Sequence, residues 1–274
     1  MAVAGCLASS VVWLTGSTFA GPAAGAPTGR DTLRVLQLNL CGSGIAGCYT
    51  GRSVSTAAAV IRNERPDVVT LNEVCRDDVS ALARATSETF GGTPVASAFK
   101  AAVDRRTNAP FRCLSGEPYG IGVVALLRSA AAGHRTYGGV YPTQDLTDPE
   151  ERVWLCLAPS GGLLTCTTHT ASTSTAVALA QCRYLLDEAV PAVGRPAGDA
   201  AVVLGADLNL RAGGSPSPQS CLPPGYQRAD DGARQDVITG PGLTLRSRTV
   251  LDLHGATDHP GLLVEVGLPA DAAH

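Results

Sequence analysis

Apolar and polar positions interleave along Leu33-Arg34-Val35-Leu36-Gln37-Leu38-Asn39-Leu40, a pattern that predicts a β-strand. Ser53 to Asn63 reads instead as a helix, with Ala57, Ala58, Val60 and Ile61 as its apolar face and the charged run Arg62 to Arg65 closing it before Pro66. Asp67-Val68-Val69-Thr70-Leu71-Asn72-Glu73 is a strand of the fully buried type, and a second helix is expected from Asp78 to Thr86. Gly120 to Leu127 and Val153 to Leu157 are strands, the latter forming a hairpin with Leu163 to Thr168 through a turn at Pro159 to Gly162. A helix follows over Ala176 to Val190, with Ala176, Leu179, Ala180, Leu185 and Leu186 as its core side. Val202 to Leu204, Asp236 to Ile238 and Leu262 to Val266 are the last strands. Residues 91 to 118 show the least regular pattern, and Arg211 to Gly225, rich in Gly, Pro and Ser, is a loop. Strands outnumber helices and a hairpin sits mid-chain, which fits a mixed α/β sandwich better than a regular doubly wound parallel sheet.

At 274 residues the chain is long enough for one large domain. Apolar residues make up 45% and aromatic ones 4%, so the core rests on Val, Leu, Ile and Ala. A net charge of −3 gives no global attraction to a polyanion. The first 30 residues read as an export signal and a disordered stretch: residues 2 to 20 are uncharged, Cys6 to Leu14 is apolar, and Ala24-Gly25-Ala26 resembles a cleavage site. A lipoprotein box at Val3-Ala4-Gly5-Cys6 comes too early, and the apolar run is too short to anchor the chain in a membrane. The folded domain is then expected over residues 31–270, exported and monomeric. Beyond Cys6 there are eight cysteines, an even number that in an exported chain suggests disulfides. Cys41 with Cys48 and Cys156 with Cys166 are the pairings that short intervening loops favour. Neither C-x-x-C nor His-rich spacing is present, which argues against zinc.

The chemistry-bearing residues sit at strand ends. Taken singly, an Asn, Asp or His there is most often a turn residue or cap. Their order is more informative. Leu36-Gln37-Leu38-Asn39, Pro66 to Val74 ending in Asn72-Glu73-Val74, Thr168-His169-Thr170, Gly205-Ala206-Asp207-Leu208-Asn209, Arg234-Gln235-Asp236-Val237-Ile238 and Thr257-Asp258-His259-Pro260 follow one another along the chain. This series resembles the endonuclease/exonuclease/phosphatase superfamily, the deoxyribonuclease-I-like fold, from about Leu33 to Val266. The resemblance implies a four-layered α/β sandwich, with two packed mixed β-sheets flanked by helices.

It also implies roles. Asn39 and Glu73 would hold a hard divalent ion, Mg²⁺ first, with Mn²⁺ or Ca²⁺ as alternatives, and Asp258 would hold a second metal ion or orient the site. Asp207 and Asn209 would hold the attacking water, His259 would act as base or polarise the phosphate with Asp236 fixing its tautomer, and His169 would be the opposing imidazole. Arg152 resembles a family arginine that approaches the phosphate; a solvated charge at a strand start is the competing reading. Tyr119 is a packing residue first. The implied activity is secreted, metal-dependent phosphodiester hydrolysis by in-line water attack, with nucleic acid as the leading substrate. A lipid or small-molecule phosphoester is the alternative, and a non-catalytic binding or toxin-like subunit the third reading. Lys100, Arg105, Arg106 and Arg112 form a local basic stretch that could contact a polymeric phosphate, with an ordinary solvated loop as the competing reading. An arginine-lined groove would mark a nuclease, and an exposed apolar loop a lipid phosphodiesterase.

Overall fold

The alternation in the first strand turns out to separate two buried faces rather than a wet and a dry one. In the computed structural model, which describes residues 1–2, 31–127, 133–159, 163–194 and 201–269, β1 (Thr32–Asn39) sends Leu36 and Leu38 to one side and Val35, Gln37 and Asn39 to the other, all buried. The export segment and the centre of the predicted hairpin turn lie outside the described residues. After β1 come α1 (Ser53–Glu64), β2 (Val68–Cys75), α2 (Arg76–Thr89), β3 (Val95–Ala101), the short β4 (Val103–Asp104) and β5 (Ala109–Pro110), and β6 (Tyr119–Leu126). The second half holds β7 (His134–Val140), β8 (Glu150–Glu151), β9 (Val153–Pro159), β10 (Leu164–His169), α3 (Thr175–Arg183), a π-helical turn, α4 (Val190–Gly194), β11 (Val202–Asp207), β12 (Gln227–Asp230), β13 (Gln235–Thr239), β14 (Thr244–Leu251) and β15 (Gly261–Gly267).

These strands form two six-stranded sheets, ordered β14-β15-β1-β2-β6-β3 and β12-β13-β11-β10-β9-β7, with a small β5-β4-β8 sheet beside them. Val35, Val68, Val123, Leu155, Val203 and Val237 pack between the two large sheets. Ala57 and Ile61 of α1 and Val79 and Leu82 of α2 cover the outer face of the first sheet, against Leu36, Leu38, Val69 and Leu71. Each such large side chain taken out of water contributes about 1.5–3 kcal/mol. The helix running from α3 through the π turn to α4 covers the second sheet. The four-layered sandwich expected from the resemblance is present. The buried side of that helix is Ala178, Cys182, Leu185, Leu186 and Ala189, while Ala176 is exposed.

Residues 91 to 118 contain an unpredicted full strand, β3, paired with β6 along its length. The edge strands β7 and β14 were also missed, because their side chains face water on most positions and show no apolar alternation. Four disulfides join Cys41–Cys48, Cys75–Cys113, Cys156–Cys166 and Cys182–Cys221, the first and third as their spacing predicts. Among the described residues no helix is long and apolar enough to cross a membrane.

The sheets are not apolar throughout their interface. Towards the ends of β1, β2, β10 and β11, the contact becomes a buried polar layer. Asn72 Oδ1 accepts from Gln37 Nε2 at 2.7 Å and from the Asp207 backbone N–H at 2.8 Å, and Asn72 Nδ2 donates to Thr168 O at 3.0 Å. Gln37 Oε1 accepts from Thr70 Oγ1 at 2.6 Å. Gly205 allows this approach: a Cβ there would overlap Thr70 Oγ1 and lie 2.8 Å from Thr70 Cβ. The layer therefore ties one sheet to the other beneath the strand ends that carry the candidate chemistry.

Candidate active site

Parallel pairing brings the predicted residues together. β1 and β2 run parallel with Asn39 beside Asn72, and β10 and β11 run parallel with His169 beside Asp207. Parallel neighbours end on the same side, where α/β proteins collect polar groups. In β2 the pairing with β6 shifts register between Leu71 and Val74, and Glu73 takes a left-handed backbone (φ 55°). This bulge directs Asn72 between the sheets and Glu73 into the pocket. Cys41 (φ 44°) and Asn209 (φ 50°) are left-handed as well. Such backbones cost on the order of 1–3 kcal/mol each and gather at functional sites.

The pocket, of about 390 Å³, is lined among others by Glu73, His169, Asp207, Asn209, Asp258 and His259. Its centre is an alternating row of imidazoles, carboxylates and one amide. His169 Nε2 lies 3.9 Å from Glu73 Oε1. Asn39 Nδ2 donates to Glu73 Oε1 at 2.9 Å and to Asp207 Oδ2 at 3.1 Å. His259 Nε2 lies 3.5 Å from Asp207 Oδ2 and 4.0 Å from Asp258 Oδ1. Thr257 Oγ1 donates to Asn39 O at 3.0 Å, which ties the Asp258-His259 loop to β1.

Burial raises the Glu73 carboxyl above the usual range. The Asn39 hydrogen bond opposes this and the neighbouring Asp207 charge adds to it. Burial also raises Asp207, offset by His259 and Asn39. Burial, then the adjacent Arg152 charge, push His169 well below an ordinary histidine. Arg152 Nη1 lies 2.9 Å from His169 Nδ1. A guanidinium can only donate, so Nδ1 accepts and the ring proton sits on Nε2, facing Glu73 and the pocket.

Glu73, Asp207 and Asp258 converge with one amide donor between the first two, an oxygen-rich set that repels itself and suits a hard divalent cation. The residues therefore fit the ion that the resemblance implies. Asn39 differs from expectation in one respect: its oxygen accepts from the Cys41 backbone N–H, so its NH₂ and not its oxygen faces the carboxylates. The Cys41, Cys48 and Asp258 ligand atoms also cluster, but the two sulfurs are joined as a disulfide and are not thiolate ligands.

Asp236 is the clear correction. The sequence suggested it as partner to His259, but the structure puts it on the opposite face of β13, where Oδ1 accepts from Arg228 Nη1 at 2.6 Å. Its antiparallel partner is Ala206, so it shares the outward side, while Gln235 pairs with Asp207 and faces inward. Gln235 Nε2 donates to Pro260 O and so supports the His259 loop, and the carboxylate beside His259 is Asp207. Arg152 lines the pocket but its guanidinium is committed: besides His169 it meets Asp148 at 3.1 Å, Glu150 at 3.2 Å and Ser172 at 3.3 Å. Asn209 also lines the pocket, with its amide held between Thr170 O and Arg234 Nη1. Tyr119 is buried and packs on Phe111.

Sequence reasoning missed Asn72, Gln235, Glu150 and Arg234 as parts of the site. Asn72 carried a signal, a polar residue inside an apolar strand; the others carried none. Arg234, Asp258 and His259 also line a second depression of about 710 Å³, bounded further by Arg211 and the loop 212–214.

A family model described as the endonuclease/exonuclease/phosphatase family matches residues 36–259. No curated protein matches the chain in sequence. Among solved structures, an endonuclease/exonuclease/phosphatase from Beutenbergia cavernae is 21% identical with a TM-score of 0.61, covering 88% of this chain and 72% of its own. The human Nocturnin catalytic domain, solved with bound sulfate, is 13% identical with a TM-score of 0.60, covering 86% and 93%. A mannosyl-6-phosphatase of Bacteroides thetaiotaomicron is 12% identical with a TM-score of 0.58, covering 85% and 99%. At these identities the likeness is one of fold.

Proposed function

The chain belongs to the endonuclease/exonuclease/phosphatase family, and from that premise we propose that it is a secreted, divalent-cation-dependent phosphodiesterase. The observation that carries this reading is the row His169, Glu73, Asn39, Asp207, His259, in which each imidazole faces a carboxylate and the two carboxylates share one amide. Glu73 and Asp258 would hold the ion, with Asn39 positioning Glu73. When bound, Mg²⁺ supplies Lewis-acid polarisation of a phosphoryl oxygen and offsets the charge of the carboxylates.

The protein's own groups supply the remaining steps in this reading. Asp207 orients His259, which takes the proton of the attacking water as its oxygen bonds to phosphorus. Neutral His169 donates its Nε2–H to a phosphoryl oxygen as charge builds there. Asn209, clamped by Arg234 and Thr170, keeps the Asp207 loop in place. Four disulfides and the uncharged apolar N-terminal run support export. The test is turnover of bis(p-nitrophenyl) phosphate with Mg²⁺. The wild type turns it over, and His259→Ala keeps its fold by circular dichroism while kcat falls about 10²–10⁴-fold. Undiminished turnover in that variant removes His259 from the mechanism.

A further inference from the structure

The pocket sits behind a rim that does not look like a polyanion site. Ile45, Leu114 and Leu146 are 64%, 74% and 82% exposed, and Tyr49 is 45% exposed. Single exposed apolar side chains are ordinary, but these four belong to three loops at the same end of the sandwich. Ile45 and Ala46 line the pocket directly, as does Phe111 beside the Leu114 loop. Leu114 N–H donates to Ser43 O at 2.8 Å, joining the first two loops. The Leu146 loop reaches the same place through Asp148, which holds Arg152 of the pocket wall at 3.1 Å.

All three loops are tied down by covalent or hydrogen-bonded contacts. Cys41–Cys48 closes the first and Cys75–Cys113 anchors the second. In the third, Asp145 accepts from Thr147 Oγ1 at 2.7 Å and from Thr173 Oγ1. The tips are also nearly free of charge: Ser43 to Cys48 and Cys113 to Gly116 carry none, and Pro142 to Thr147 only the inward-bonded Asp145.

Each arginine of the basic stretch named above has a local partner. Arg105 donates to Asp145 O, Arg106 pairs with Asp104 at 2.8 Å, Arg112 donates to Gly116 O at 2.7 Å, and the Lys100 stem lies along Gly138.

Resting on the phosphodiesterase reading, we propose that this rim seats the protein on a lipid–water interface and that its substrate is a phosphodiester carried by an amphiphile. Aliphatic tips of this kind enter the headgroup and acyl boundary, and the adjoining pocket then meets the phosphodiester. With no basic cluster at the tips, seating rests on apolar insertion, so a zwitterionic surface suffices. In the reaction, water oxygen bonds to phosphorus, one phosphorus–oxygen ester bond breaks, and the proton leaving water ends on the departing oxygen.

The test compares the wild type with Leu114→Ser/Leu146→Ser, both exposed and outside the pocket lining, in the presence of Mg²⁺. Vesicles of sphingomyelin and phosphatidylcholine are the interfacial probe, scored by released choline or phosphocholine and by co-sedimentation. Bis(p-nitrophenyl) phosphate is the soluble probe. The expected result is vesicle turnover by the wild type that falls at least about tenfold in the variant along with co-sedimentation, while soluble turnover is unchanged. Absence of vesicle turnover alongside soluble turnover overturns the proposal, as does equal loss on both probes. Cleavage of plasmid DNA or RNA in place of vesicle lipid assigns the site to nucleic acid instead. A wild type inert even on the soluble probe defeats the phosphodiesterase reading itself.

Discussion

Replacing Asn72 by Ala should uncouple the two sheets directly beneath the reactive row. Asn72 is fully buried and holds the Asp207 backbone N–H, Gln37 Nε2, Thr167 Oγ1 and Thr168 O. Alanine leaves the Asp207 N–H without its 2.8 Å acceptor and the Thr168 carbonyl without its 3.0 Å side-chain donor, while Gln37 Nε2 keeps only the longer contact to Gln235 at 3.3 Å. A buried polar group left unpaired costs about 1–3 kcal/mol. With one backbone donor deprived of its side-chain acceptor and two groups weakened, the expected loss is about 3 kcal/mol. With an m-value of about 2–3 kcal/mol/M in urea, the unfolding midpoint should drop by about 1–1.5 M. Because the orphaned N–H belongs to Asp207, kcat should fall as well, by about tenfold or more, with little change in KM. Urea unfolding by fluorescence, disulfides intact, gives the first quantity and steady-state hydrolysis the second. A stability loss under about 1 kcal/mol with full activity would refute the claim that this layer aligns the site.

Gly205→Ala places a methyl group against Thr70, between sheets that cannot separate without breaking the polar layer. We expect a loss of at least about 3 kcal/mol in urea unfolding, partly restored by adding Thr70→Ala; a neutral Gly205→Ala would contradict the packing argument. Glu150 gives a pH signature. Burial, opposed by Arg152, raises its carboxyl from 4.5 to about 7. Between those values the folded state holds a proton that the unfolded state has released, so stability falls as pH rises through the window. Glu150→Gln should flatten that decline by about 1–3 kcal/mol, read from urea unfolding at pH ~5 and ~8, and identical slopes in both proteins would reject the assignment.

Much of the site could be read along the chain because its residues border apolar runs. Asn39, Glu73, His169 and Asp207 end strands that parallel pairing gathers, and His259 precedes the last strand in a loop tied to β1 through Thr257. Asp236 was misplaced for a physical reason. Gln235 to Thr239 is buried on both faces, so no apolar–polar alternation shows which side chains point inward. Only the antiparallel register with β11, which puts Gln235 beside Asp207, decides it. The Asn72 layer was legible as a polar residue in an apolar strand, but its partners are 35 to 135 residues away. The apolar rim was invisible because its members lie singly in short, irregular loops that are distant in sequence and are brought to the pocket by disulfides and hydrogen bonds.

The central claim is that Glu73 and Asp258 hold a divalent cation for phosphodiester hydrolysis between His169 and His259, with Asp207 orienting His259 beside it. It is tested most directly by the rate of bis(p-nitrophenyl) phosphate hydrolysis in excess EDTA, after Mg²⁺ is restored, and again in Glu73→Gln. The account predicts no turnover in chelator, full recovery with Mg²⁺, and a rate at least about 10²-fold lower in Glu73→Gln. Turnover that persists in excess chelator, or a Glu73→Gln variant as active as the wild type, would contradict it.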